Sequence, residues 1–270
     1  MYYPVLLLPN GTELKGGEAG STIKALTLHT AVNSGQEFAI GSAFSDYIEA
    51  EIWADPGGSL QITAGDALTY YRQDDAGNRT KVGIFYAEKP TRTKRNSYKV
   101  TAYDTMSKLD ADFSGWLRAN QAQFPKTIWQ LVQLACQRAG VTLASSSLPI
   151  NGSYSVQAFY ADDLTCRQII SWAAEAAGCY AHMNTDGKLQ FLTYTDKRST
   201  AKITPDGASS STAYYADSLS YQDYPVKAIE NVQIRQSDSD AGVIYPHSTT
   251  APPNYAVLGN LHLPTSTAPN

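Results

Sequence analysis

Charge is scarce in this chain of 270 residues: Asp, Glu, Lys and Arg make up 17% of it, below the roughly 25% usual in globular proteins. The formal net charge of −4 gives no long-range pull toward nucleic acid or an anionic membrane. Cysteine is scarcer still. Cys136, Cys166 and Cys179 are an odd number without close spacing, so buried free thiols and a reducing site of synthesis are expected. The four histidines, His29, His182, His247 and His262, form no H-E-x-x-H pattern and have no Cys or carboxylate at ligand spacing. No G-x-S-x-G, phosphate-binding loop or dinucleotide fingerprint is present. No run approaches the roughly 18 apolar residues that span a bilayer. Residues 1–9 lack the basic start and cleavage site of a signal peptide, and read as a first strand.

What is plentiful is tyrosine, 18 residues against 7 Phe and 4 Trp, in a chain that is 43% hydrophobic. Tyrosine suits half-buried pleated surfaces and contact faces that are apolar along the ring and wet at the tip. The first 110 residues read accordingly as strands joined by polar turns. Residues 23–32 are rich in β-branched and apolar types. Over 44–53, Phe44, Ile48, Ala50 and Ile52 share one parity. A hairpin is predicted with arms at 68–72 and 81–86 around the turn-forming run 73–78, and a second one turns at 91–96 and returns along 98–103. Repeated short strands with turns between them indicate a barrel or sandwich.

After Tyr103 the period changes. Residues 124–140 predict a helix that starts at Pro125 or Thr127 and stops at Gly140 as a left-handed cap. Ile128, Leu131, Val132, Ala135 and Ala139 form its stripe. Burying about four large side chains at roughly 1.5–3 kcal/mol each gives on the order of 10 kcal/mol before entropy is charged. A second helix opens at a capping box, Thr165 to Gln168, and runs through Ile169, Ile170, Trp172, Ala173, Ala176 and Ala177 to Gly178. A hairpin comes next, 179–183 and 188–192 around a turn at 184–187. Residues 200–215 look like a surface connection, and strand patterns resume at 228–236 and 243–245. The Pro-rich end contains too little to close another core unaided. The last domain therefore reads as incomplete, either truncated or completed by a partner. The fold class expected is α+β and β-rich: an N-terminal β-barrel-like domain at 1–112, a middle α/β domain of two helices plus a hairpin at 113–200, and a linker with a partial second β-barrel at 201–270.

Candidate chemistry is thin. Asp162-Asp163 could serve as paired carboxylates or a Ca²⁺ site, but a place before the Thr165 cap explains them more simply. Asp74-Asp75 and the acidic run at 238–240 are turn residues first, and Gly16-Gly17 and Gly57-Gly58 are turns. Lys89, Arg92, Lys94, Arg95 and Lys99 form a basic hairpin, read as a soluble turn or as a contact for an acidic neighbour in an assembly or for a polyanion. A carbohydrate- or receptor-binding β-module would need an exposed aromatic platform, with Trp53, Trp116 or Tyr70-Tyr71 as candidates. A hydrolase would need Asp110, Asp112 and Glu175 to converge. No catalytic, cofactor-binding or metal-binding residue is assigned, and no enzyme activity, cofactor, nucleic-acid recognition or membrane span is expected.

The order of elements carries more than any residue. A β-domain leaves through Tyr103-Asp104 with Leu109 five residues on. A helix ending in Ala139-Gly140 comes after it, then Leu164-Thr165-Cys166-Arg167-Gln168, then Asp186-Gly187-Lys188-Leu189. This resembles the tail-tip or baseplate hub (tail-associated) proteins of long-tailed bacteriophages and prophages, and residues 232–245 and 259–260 resemble the start of their second barrel. The resemblance implies a structural, non-enzymatic hub made in the bacterial host cytoplasm and working at the virion tail tip. It implies a homotrimer whose ring of barrels joins a distal tail or tail tube protein to tape-measure or spike components.

Overall fold

Eight strands of the N-terminal part make one antiparallel sheet whose register follows from period-two burial. A computed structural model describes residues 2–17, 21–32, 40–54 and 60–194, together with five short strands further on. The strands are β1 (Tyr2–Leu7), β2 (Glu13–Lys15), β3 (Ile23–His29), β4 (Tyr47–Trp53), β5 (Ala67–Asp74), β6 (Arg79–Ala87), β7 (Thr91–Lys94) and β8 (Ser97–Asp104). Their order is β2-β1-β5-β6-β8-β4-β3, with β7 paired to β8. Along β4, Ile48, Ala50 and Ile52 are buried and Glu49, Glu51 and Trp53 turn outward, as a pleated strand with one wet face requires. These side chains join Leu6, Ile23, Leu68, Phe85, Val100 and Ala102 in one core. The two end strands meet at one corner. Gly16 bridges Ile23, and the Lys15 amide donates to Thr22 Oγ1 at 3.0 Å. The sheet thus curls back on itself around its core.

The expected β5–β6 hairpin is present, with strands longer and a turn tighter than the composition implied. Asp74 contracts it by accepting from the Ala76 and Asn78 amides and from Asn78 Nδ2, at 3.0, 2.8 and 2.9 Å. These bonds, those from Asn78 foremost, hold the Asp74 carboxyl below its usual range. The segment 91–96, expected as a turn, is instead mostly strand: β7 pairs with β8 and leaves Arg95-Asn96 to turn. Alternating Thr and basic residues make a fully exposed edge strand, whose charges discourage strand addition.

Beyond β8 the chain makes a 3-10 turn at Thr105–Asp110 and a short helix, α1 (Ser114–Ala119). The two-residue strand β9 (Lys126–Thr127) pairs with β10 (Ser155–Val156). The two expected helices are α2 (Ile128–Ala139) and α3 (Cys166–Ala176), and the hairpin is β11 (Cys179–Met183) with β12 (Leu189–Thr193). Both helices open with complete capping boxes, Thr127 with Gln130 and Thr165 with Gln168. Gly140 caps α2 at φ 65°, in the left-handed region where a side chain would be strained. Of the α2 stripe, Ile128, Leu131, Val132 and Ala135 are fully buried and Ala139 partly so. They pack with Ile169, Ile170 and Ala173 of α3 and with hairpin residues Cys179, Ala181, Leu189 and Phe191 into a second core. Met106, Leu109 and Phe113 belong to this core and not to that of the sheet.

The chain up to Thr193 lies in one compact unit, and Tyr194–Leu261 forms another. In the second, β13 (Thr204–Pro205) pairs parallel to β14 (Ala213–Tyr214). There too β15 (Asn231–Arg235) lies between β16 (Val243–Tyr245), antiparallel, and β17 (Tyr255–Gly259), parallel. The strands expected at 228–236 and 243–245 are thus present. Most of the connection at 200–215, the acidic run at 238–240, His247, His262 and Gly57-Gly58 lie outside the described residues.

Candidate functional site

Polar side chains gather where the segment 40–46 passes from the hairpin to β4. Its backbone extends the hairpin. The Gly41 amide donates to Cys179 O at 3.0 Å, and the Ala181 amide donates to Ser42 O at 2.8 Å. Gly41 has φ 87°, and a Cβ there would lie 2.5 Å from Glu175 Cβ and 2.9 Å from the Glu175 backbone. Glycine is therefore what lets the segment lie against α3. Ser171 Oγ donates to Gly41 O at 2.5 Å, and Arg167 reaches Ala43 O at 3.3 Å and Met106 O at 3.2 Å. Arg167 also grips Asp110 through two bonds of 2.6 and 2.8 Å. An open groove of about 850 Å³ runs along this seam, lined in part by Ser42, Ser45, Tyr103, Ser107 and Arg167.

Behind the groove, a smaller cavity of about 270 Å³ separates β6 from the hairpin, and Asp46, Asp104 and His182 line it. Asp104 ends β8 and is 5% exposed. Its Oδ1 accepts from Ser45 Oγ at 2.6 Å and from the Met106 amide at 3.0 Å, which starts the 3-10 turn. Its own amide donates to Asp46 O at 2.8 Å. His182 Nε2 lies 3.2 Å from Asp46 Oδ2. Asp104 Oδ2 and Asp46 Oδ1 are buried without a hydrogen-bond partner. Burial pushes the Asp104 carboxyl up to about 6, against the pull of the Ser45 bond. The Asp46 carboxylate raises His182 more than burial lowers it. The sequence pattern puts His182 in a strand with a solvated or hydrogen-bonded side chain, and it is hydrogen-bonded. Asp104 stands out in the sequence only as part of a strand exit, because nothing local marks a carboxylate whose hydroxyl partner, Ser45, lies 59 positions away.

The other candidates disperse. Asp110 is held by Arg167, Asp112 accepts from the Ser114 and Gly115 amides at 3.0 Å each, and Glu175, raised by burial, sits on α3 against Gly41. Asp163 takes a left-handed turn at φ 54°, and Asp162 reaches only Arg118 at 3.5 Å, so Thr165 and Gln168 cap α3 without them. Among the described residues, no three His, Cys, Asp or Glu side chains are grouped to hold a metal ion. His29 stacks on Tyr47 with ring centroids 4.3 Å apart, and lies 3.7 Å from Glu49. The three thiols are free and buried, and burial pushes Cys136 and Cys179 up to about 12 and Cys166 to about 11.

Of the aromatic candidates, Tyr70 belongs to the sheet core, and Trp116 packs between Phe113 and Phe124. Trp53 is 42% exposed, with Lys24 Nζ 5.9 Å from its ring. On the basic hairpin Lys89, Arg92, Lys94 and Arg95 are exposed, while Lys99 pairs with Glu49 at 2.6 Å. No helix among the described residues is long and apolar enough to cross a membrane.

This arrangement, a curled sheet followed by two helices and a hairpin, recurs in solved proteins. The 43 kDa tail protein of prophage MuSo2 from Shewanella oneidensis superposes with a TM-score of 0.54 at 15% identity, over 97% of this chain and 73% of that one. The tail protein from Neisseria meningitidis MC58 does so with a TM-score of 0.53 at 12% identity, over 95% of this chain and 70% of that one. The chain shares the fold of these two tail proteins. No protein-family model and no curated protein matches it in sequence. At this identity the likeness is one of backbone path.

Proposed function

We propose that the chain is a structural subunit of a phage or prophage tail and acts as the hub at the tail tip. Three copies form a ring that continues the tail tube. The ring meets a distal tail or tail tube protein on one side and a tape-measure or spike component on the other. The observation that carries this reading is the fold shared over 97% of the chain with a prophage tail protein. A fold alone does not fix a function, so the surface matters too. Tyr2, Val32, Trp53, Ile150 and Tyr160 are large apolar or aromatic side chains exposed on it, and the aromatic ones are of the kinds enriched where proteins meet. Beyond the Ile23 bridge, no described strand covers the outer edge of β3, and an open edge accepts a strand from another chain.

This role needs no bond-making residue, cofactor or metal. Of the binding-module alternative's aromatic candidates, Tyr70 is in the interior and Trp116 is half-buried against the second core. The test is the mass in solution. The chain alone, or mixed with the tail proteins encoded beside it, is expected to give the mass of three copies by light scattering and threefold rings by electron microscopy. A protein that stays monomeric at high concentration and with those neighbours is not a hub.

A further inference from the structure

We propose that the contact between the β11–β12 hairpin and the sheet is an acid-tightened clasp, in which protons taken up by the Asp46, Asp104 and His182 cluster hold the hairpin down and their loss releases it. Three separate pieces of chain meet there: Asp46 from the segment entering β4, Asp104 from the end of β8 and His182 from β11. The hairpin is tied to that segment by the Ala181 and Gly41 amide bonds, directly beside the cluster. Two carboxylate oxygens, Asp46 Oδ1 and Asp104 Oδ2, are buried with no donor. A charged, undonated oxygen in a low-dielectric setting is costly, and the two carboxylates repel each other. Opening the clasp lets water solvate both. A proton on Asp104 removes one charge and makes a donor facing a cavity lined by Asn184, Thr185 and Gln190. A proton on His182 turns its 3.2 Å contact with Asp46 into a charge-assisted bond.

Other charged groups on the elements packed there are few. Lys81 of β6 pairs with Asp186 in the hairpin turn at 2.8 Å, with Lys188 beside it. Lys108 lies over the Tyr86 ring at 3.9 Å, Tyr103 neighbours Asp104 on β8, and Glu88 and the Asp110–Arg167 pair line the groove in front. Glu175 of α3, raised by burial, packs against Gly41, so the Ala181 amide is the readout of the Asp104 and His182 pair and Gly41 carries the Glu175 contribution as well. Asp186 is held below its ordinary range by Lys81, and burial lifts Tyr103 above 10, so neither changes charge between pH 5 and 8. Asp104 and His182 are both raised in the closed form. The closed form therefore binds more protons than the open one, and closure strengthens as pH falls through the raised His182 value and then through about 6. With Asp104 at about 6 when closed and 3.8 when open, opening is disfavoured about tenfold more at pH 5 than at pH 8 from that group alone.

Hydrogen exchange on the full chain reads this directly at the Ala181 and Gly41 amides, corrected for intrinsic rates and compared with amides inside β5–β6. The expected result is protection about tenfold or more higher at pH 5 than at pH 8 for the two clasp amides, and a ratio near one in the sheet. Asp104→Asn is expected to shrink the ratio at Ala181, and Asp104→Asn with His182→Gln to abolish it there. Equal protection at both pH values, higher protection at pH 8, or a ratio at Ala181 that survives the double substitution overturns the clasp. Should the variants not fold, the His182 ring titrated by NMR in the unmodified chain decides: a midpoint above 6.5 supports the proposal, and one at or below it sinks it. None of these outcomes depends on whether the chain forms a ring.

Discussion

Single residues here matter most where two pieces of chain touch. Gly41 is the clearest case, since its φ is 87° and an added Cβ would lie 2.9 Å from the Glu175 backbone. Gly41→Ala should cost about 2 kcal/mol or more, from left-handed strain plus displacement of α3, measured by denaturant unfolding. The thiols make a second prediction. With Cys136 and Cys179 near 12 and Cys166 near 11, thiolate is almost absent at pH 8. Alkylation followed by mass spectrometry should leave all three unmodified in the native chain and modify all three in denaturant. Their burial was legible, because each lay in an apolar helix or strand pattern. The Asp46, Asp104 and His182 cluster was not, because its members lie in three elements and carry no shared spacing.

Elements were legible in proportion to how much local chemistry specified them. Both helices announce themselves by an apolar stripe, a Thr with Gln three residues on, and a glycine just past the end. Thr127→Ala and Thr165→Ala should each lower stability by about 1 kcal/mol, since each leaves an amide of the first turn without its acceptor. Leu131→Ala, in the fully buried α2 stripe, should cost about 2–5 kcal/mol. Thermal unfolding of the three variants checks both, with the core substitution expected to be the larger. Helix α1 escaped prediction because six residues are too few to show a period. Strand β7 escaped it because its basic, polar residues look like a turn until β8 supplies a partner.

At the scale of the whole molecule, the first 193 residues hold two cores within one compact unit. A chain ending at Thr193 should therefore fold by itself and unfold cooperatively, with near-native strand and helix signals in circular dichroism. A collapsed, dye-binding product would show that the unit depends on residues 194–270 for its packing. The expected α+β, strand-rich class is present, and its backbone path is that of the two tail proteins.

The sequence by itself determined the longer strands and the two long helices, where α2 and α3 start and stop, and which of their faces are apolar. Those properties depend on neighbours within a few positions, where backbone sterics and side-chain period act. Only the tertiary structure decided that Gly16 meets Ile23 to curl the sheet, that the segment 40–46 joins the hairpin, and that Asp104 loses its water beside Asp46 and His182. Those contacts join residues far apart in the chain. Their energies come from burial and from long-range hydrogen bonds, which exist only once both cores have formed.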